Sequence, residues 1–176
     1  MIYAPIVHSE VDMGSMAGEV RRRFQEVFGP EEWKRRFASV EAMWEGLRAK
    51  LLALPIPWQR VRLYQDGLPI CGREREITVE LAAKGSRNHQ LLGELMESGA
   101  ALMGTEDPQL MLAEYRRIQK LVQAAKERAS DSVVAELKCE GESLLELRDA
   151  FIARRIDETL SDGETVPPPK FLLRSE

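Results

Sequence analysis

Residues 60–65, RVRLYQ, alternate polar and apolar side chains and therefore predict a β-strand. Two other short apolar segments, residues 2–7 (IYAPIV) and residues 100–104 (AALMG), also predict strands. Two helical patterns separate each of these segments from the next, and connections that contain helices suit parallel strands. We therefore predict an α/β fold: a small, mainly parallel sheet of about three strands, with helices packed around it and a helical C-terminal third.

The most regular helical pattern precedes the central strand, in residues 33–54. Its apolar residues are spaced alternately four and three apart, which is a seven-residue repeat: Trp33, Phe37, Val40, Trp44, Leu47, Leu51 and Leu54. A stripe of this kind must be buried, either on the protein's own sheet or against a second subunit. The sequence leaves both alternatives open, a core helix and a homodimer seam.

The overall composition is that of an ordinary globular protein. The chain has 176 residues, of which 44% are hydrophobic and 31% are charged, and its net charge is -4. We predict one α/β domain over residues 1–163 and a Pro-rich tail over residues 164–176. The acidic balance is not typical of nucleic-acid binding, and no uncharged apolar run approaches the roughly 18 residues of a membrane span. The first residues also lack the basic start of a secretory signal, so we expect a cytoplasmic protein.

Familiar catalytic and metal-binding motifs are absent from the sequence. The two cysteines, Cys71 and Cys139, form no CxxC pair, and two histidines are too few for a multi-histidine zinc site. There is no GxGxxG, Walker-type phosphate loop, GxSxG elbow or HExxH helix. The sequence therefore identifies no particular reaction.

Polar side chains follow each of the three predicted strands. In parallel sheets, ligands bind beyond the carboxyl ends of the strands, so these side chains are expected to converge on one cleft. They are His8, Ser9, Glu10 and Asp12 after the first strand, Gln65 and Asp66 after the second, and Thr105, Glu106 and Asp107 after the third. The cleft would be rich in carboxylates.

Such a cleft suits acid–base chemistry, a hard divalent cation such as Mg²⁺ or Mn²⁺, or an anionic ligand. As candidate catalytic residues we name His8, Glu10, Asp66 and Glu106; as candidate metal ligands, Asp12, Asp66 and Asp107; and as candidate substrate-binding residues, Gln65, Lys84, Thr105 and Arg148. A competing interpretation assigns Asp12 and Asp107 to helix caps. Another assigns Asp66, with Gly67, to a turn.

The helical segment ELRDAFIARRI, residues 146–156, resembles one segment of the superfamily that includes TraB-type and erythromycin-esterase-type proteins. In those proteins an Arg-Asp helix precedes an apolar strand that ends near a glycine and a histidine. The resemblance implies an α/β fold in which Arg148 faces the site. Residues 164–176 contain no histidine, which departs from that pattern.

Two functional hypotheses follow from these features. The first is a hydrolase that binds a divalent metal or a small anion in the acidic cleft. The second is a non-enzymatic interaction or regulatory subunit, a homodimer built on the apolar stripe of residues 33–54. A small-ligand sensor that uses the same cleft without turnover is a third.

Overall fold

The computed structural model describes residues 2–7, 9–160 and 170–175. Within these residues the strands are β1 (Ile2–Ile6), β2 (Arg62–Pro69), β3 (Ala101–Glu106) and β4 (Lys170–Ser175). The helices are α1 (Ala17–Phe28), α2 (Pro30–Leu52), α3 (Glu74–Ala83), α4 (Arg87–Glu97), α5 (Pro108–Lys126) and α6 (Asp131–Thr159). The predicted mixed α/β class and the helical C-terminal part are confirmed.

The strands form one sheet in the order β1-β4-β2-β3. β1 and β4 run parallel, with Ile2 opposite Phe171 and Ile6 opposite Ser175. The fourth strand comes from the segment that was predicted as a tail. Among the described helices, none combines the length and the apolar character that crossing a membrane requires.

Two strands extend further than predicted, and this changes the position of three predicted site residues. β2 continues through Asp66 to Pro69, and β3 continues through Thr105 and Glu106. Asp66 and Gly67 therefore lie inside a strand, where Gly67 adopts a φ of 75°, a left-handed conformation that glycine reaches without steric cost. The prediction that Asp66, Thr105 and Glu106 lie in loops was wrong. β2 continues past Asp66 and Gly67, and β3 continues to the buried carboxylate of Glu106.

The chain divides into two compact units. Unit 1 comprises the described residues of Met1–Leu63, Arg75–Leu102 and Pro167–Glu176, and unit 2 those of Tyr64–Glu74 and Met103–Val166. The prediction of one domain over residues 1–163 stays a prediction, because residues 161–169 lie outside the described residues.

Unit 1 has an apolar core made by β1, α2, α4 and the start of β2. Its buried members are Ala4, Ile6, Trp44, Leu51, Val61, Leu63, Leu91, Leu92, Leu95, Met96 and Ala100. Only part of the predicted α2 stripe belongs to this core. Trp44 and Leu51 are buried, whereas Phe37 is 39% exposed. The fold of one chain therefore covers only part of the stripe, and the homodimer seam stays a prediction.

The exposed end of the α2 stripe lies beside α1, which has no buried residue. The rings of Phe24 and Phe28 are 4.7 Å apart, and the Phe24 and Trp33 rings are 5.4 Å apart. The guanidinium of Arg36 lies 5.0 Å from the centre of the Phe24 ring. This aromatic cluster holds the α1–α2 junction together at the surface of unit 1.

Unit 2 is dominated by the hairpin of α5 and α6. Asp107 caps α5 by accepting hydrogen bonds from the backbone N–H groups of Gln109 and Leu110, at 2.6 and 3.2 Å, as the capping interpretation predicted. α6 is one continuous helix of 29 residues. From the sequence, Gly141 predicts a break within this segment. That prediction was wrong, because the glycine lies inside the helix and makes room for a side chain of the neighbouring helix.

That side chain is Arg117 of α5. It donates to the Leu137 carbonyl at 3.0 Å and forms an ion pair with Glu114 at 2.7 Å. A Cβ on residue 141 would come within 2.8 Å of the guanidinium. Hydrogen bonding to Arg117 holds the pKa of Glu114 below its usual range. The polar contact between Arg117 and the backbone of α6 sets the register of the hairpin.

The effect of Gly141→Ala should depend on Arg117. In the wild-type background, alanine displaces a charged hydrogen bond that contributes about 1.5–3 kcal/mol, which outweighs the roughly 1 kcal/mol gained from helix propensity. In an Arg117→Ala background the steric conflict is gone, and the same substitution should stabilise by about 1 kcal/mol. Urea unfolding of the four proteins completes a double-mutant cycle. An effect of the same sign in both backgrounds contradicts the assignment.

Candidate functional site

The end of β3 carries a buried carboxylate in unit 2. Glu106 has no exposed surface and accepts two hydrogen bonds from Arg148 of α6. The Arg148 Nη2 donates to Oε1 at 2.6 Å, and Nε donates to Oε2 at 3.1 Å. This is a bidentate ion pair, the geometry in which a guanidinium and a carboxylate bind most strongly.

Several acidic groups stabilise the positive charge of Arg148. Hydrogen bonding to Glu106 is the main cause that raises the pKa of Arg148 above its usual range, and the charges of Asp66 and Glu114 add to it, while burial opposes it. Asp66, Glu106 and Arg148 therefore interact electrostatically with one another, as one cluster. The catalytic, metal-binding and substrate-binding roles named for them stay predictions.

The strand residues beside this cluster are also polar and buried. Thr105 Oγ1 donates to the Gln65 carbonyl at 2.7 Å, and Gln65 Nε2 donates to the Asp66 carbonyl at 2.8 Å. The Tyr64 hydroxyl and Thr159 Oγ1 are 2.8 Å apart, which joins β2 to the end of α6. Sequence reasoning gave Tyr64 and Thr159 no role, because the two hydroxyls are 95 residues apart in the chain and no local pattern links them.

The chemistry of this cluster is that of an anchored ion pair. A general base must lie within hydrogen-bond reach of its substrate. Glu106 has no exposed surface, and each of its oxygens already accepts a hydrogen bond from Arg148. In the part of the chain that the structure describes, no three His, Cys, Asp or Glu side chains are grouped so as to hold a metal ion. The cluster favours a structural role that joins β3 to α6.

The remaining predicted site residues lie in unit 1 or outside the described residues. Asp12 accepts hydrogen bonds from the backbone N–H and the hydroxyl of Ser9, both at 2.7 Å, and lies in a short 3-10 turn ahead of α1. Glu10 forms an ion pair with Arg21 at 3.0 Å, and Lys84 is exposed after α3. His8 lies outside the described residues. The convergence of all three predicted strand ends on one cleft stays a prediction.

Unit 2 also carries an apolar surface on the side of α5 that α6 does not cover. The outer seam, as we name it, consists of Tyr115, Ile118, Val122 and Ala125, spaced three, four and three apart. Tyr115 is 58% exposed, Ile118 38% and Val122 45%, and Ala125 is exposed as well. The spacing of these residues, with Met111 before them, predicts one amphipathic helix, and α5 is that helix.

The covered face of α5 lies about 100° around the helix from the outer seam, since each residue turns the helix by about 100°. It follows the same alternate spacing of four and three: Leu110, Glu114, Arg117, Leu121 and Ala124, all buried or half-buried. Its partners on α6 repeat likewise: Val134, Leu137, Gly141, Leu144 and Arg148. α6 therefore covers one face of α5 and leaves the outer seam exposed.

Comparison with known proteins identifies no relative. No family model, no curated protein and no solved structure matches the chain. The resemblance of residues 146–156 to TraB-type and erythromycin-esterase-type proteins stays an expectation.

Proposed function

We propose that this protein is a non-enzymatic interaction subunit, and that its outer seam is covered by another helix packed in the coiled-coil manner. The observation that carries this proposal is the exposed seven-residue apolar repeat on α5, on the side that α6 leaves uncovered. The function is the one offered by the second hypothesis from the sequence, but it uses a different helix.

The spacing of the outer seam matches what a second helix requires. Apolar residues alternately three and four apart form a straight stripe along a helix, and side chains of a facing helix fit between them. Single exposed apolar residues are ordinary on protein surfaces, whereas a contiguous row indicates a contact. Leu145 of α6, 53% exposed, is an exposed leucine that belongs to no such row.

Covering the outer seam would also be favourable in energy. Burying a whole Val, Leu, Ile or aromatic side chain contributes about 1.5–3 kcal/mol, and roughly half of that remains available where about half the side chain is exposed. Tyr115, Ile118 and Val122 are each in this range of exposure. Their combined contribution is about 3 kcal/mol from this side of the contact, and apolar side chains of the facing helix would add to it.

The acidic-cleft hydrolase stays a prediction and is not what the geometry favours. Its central carboxylate, Glu106, is bonded through both oxygens to Arg148. The Mg²⁺ or Mn²⁺ site, with Asp12, Asp66 and Asp107 as ligands, has no support in the arrangement of the described residues.

Binding of a designed helical peptide tests the proposal. The probe is a fluorescein-labelled peptide of three heptads with leucine at the two core positions and neutral residues elsewhere, titrated with the protein and followed by anisotropy. We expect Ile118→Lys to weaken binding by at least about tenfold, since a charge in the seam costs at least about 1.4 kcal/mol. Leu145→Lys is the matched control and should bind like the wild type.

Two results would count against the outer seam. Absence of measurable binding by wild-type protein that is monomeric at the concentration used would remove the proposed function. Equal losses in the Ile118→Lys and Leu145→Lys variants would show that the peptide binds elsewhere.

A further inference from the structure

We infer that the helix covering the outer seam is α5 of a second copy of this chain, packed antiparallel to the first. This inference rests on the proposed function and names its partner. The observation behind it is the order of side-chain sizes along the outer seam. They decrease steadily from Tyr115 through Ile118 and Val122 to Ala125.

Because the side chains decrease in size along the seam, two copies of the seam fit together only when their helices run antiparallel. In an antiparallel pair the Tyr115 ring of one copy faces Ala125 of the other, and Ile118 faces Val122, so the two helix axes stay at an even distance. In a parallel pair each residue would face its own copy. Two tyrosines would then force the helices apart at one end, and two alanines would leave a gap at the other. Alternation of large and small residues is how helices fill the space between them.

The flanking charges are compatible with the same arrangement. Beside the seam lie Leu112, Gln119 and Lys126, one heptad apart. In the antiparallel pair the aliphatic stem of Lys126 covers Leu112 of the other copy, and the two Gln119 amides lie next to each other. No like charges meet along this flank. The contact is isologous, with the same patch used by both copies, which is the commonest form of protein dimer.

A different class of partner fits the surface less well. A basic amphipathic helix can bind an anionic membrane, and α5 has a net charge of +3 from four basic residues and one acidic residue. However, α6 runs beside it with eight acidic and four basic residues, a net charge of -4. That helix would be repelled by anionic lipids. The acidic charge of α6 therefore disfavours an anionic membrane surface as the partner.

Sedimentation equilibrium of the full-length protein is the first test. We expect a monomer–dimer equilibrium in which the dimer is populated at about 0.1 mM. Ile118→Glu should raise the dimer dissociation constant by at least about a hundredfold, because each new carboxylate would be buried without a partner against Val122 of the other copy. Leu145→Glu should leave the dimer unchanged. A wild-type monomer, or equal effects of both variants, would overturn the inference. A second measurement is co-sedimentation with vesicles of phosphatidylserine and phosphatidylcholine. A membrane partner would replace the second copy if the monomeric wild-type protein bound these vesicles and Ile118→Glu abolished the binding.

Disulfide trapping tests the orientation. Cys71 and Cys139 are exposed and are first changed to serine. Tyr115→Cys and Ala125→Cys variants, each oxidised alone, should not cross-link, because an antiparallel pair places the two copies of either residue about 15 Å apart at about 1.5 Å per residue. Mixed together, they should form a disulfide-linked dimer, since the two Cα atoms then come within the roughly 7 Å that a disulfide requires. Cross-linking of each variant with itself would overturn the antiparallel arrangement.

The failure of this inference can be told apart from failure of the proposed function. A monomeric protein that still binds the neutral leucine-heptad peptide through Ile118 has a helix-binding seam but a different partner. A monomer that binds no peptide has neither.

Discussion

Replacing Arg148 with alanine is expected to destabilise the protein by about 3–5 kcal/mol, the cost of leaving a buried charge without its partner. Glu106 has no exposed surface, and both of its carboxylate oxygens accept hydrogen bonds from this one guanidinium. Urea unfolding followed by far-UV circular dichroism measures the loss. Arg148→Lys should recover only part of it, since an ammonium group cannot bind both oxygens in the same fork geometry.

Two comparisons separate the ion pair from a general effect of shortening a side chain. Arg154 lies on the same helix, is 65% exposed and is 4.0 Å from Glu158, so Arg154→Ala should cost less than about 1 kcal/mol. The double variant Glu106→Leu with Arg148→Met removes both charges, and it should be close to neutral or even stabilising. If the double variant were as unstable as Arg148→Ala, the loss would have to come from packing instead of charge.

The second large effect is expected in unit 1. Trp44→Ala should lower the free energy of unfolding by about 3–5 kcal/mol, because it leaves a cavity in a close-packed core. Trp44 is 3% exposed, and its Nε1 donates to the Val7 carbonyl at 3.1 Å. Phe37, seven residues earlier on the same predicted stripe, is 39% exposed. Phe37→Ala should therefore change the free energy of unfolding by only about 0.5 kcal/mol, as at other surface positions.

This pair of substitutions decides between the two alternatives that the stripe left open. If Trp44 belongs to the core, Trp44→Ala lowers the stability by the same amount at every protein concentration. If Trp44 lay in a dimer seam, the loss of stability in Trp44→Ala would change with protein concentration, since association adds to stability only where the dimer is populated. A concentration-dependent loss would contradict the assignment of Trp44 to the core.

The sequence determined the elements with strong local signals. Asp107 followed by Pro108 predicted the start of α5, because a carboxylate can cap the free N–H groups of the first turn and proline is tolerated there. Gly29 followed by Pro30 likewise predicted the start of α2. These signals act within one turn of a helix, so no other part of the chain is needed to interpret them.

Glu106 shows what a local pattern cannot reveal. After an apolar run, a glutamate indicates the end of a strand and an exposed, reactive group. The tertiary structure instead places it inside β3, because Arg148, 42 residues further along the chain, neutralises it. Gly141 is a similar case: it looked like a helix end and proved to be space for Arg117. In both, the deciding contact comes from a residue distant in sequence.

What the sequence by itself determined was the α/β class, the start of α5 at Asp107 and the apolar spacing along that helix. Only the tertiary structure decided which face of α5 is covered. Periodicity reports that apolar side chains share a face, but the covered face is set by the shape and hydrogen bonding of the neighbouring helix. On α6 these are the Leu137 carbonyl and the gap at Gly141, which hold Arg117 and leave the outer seam exposed.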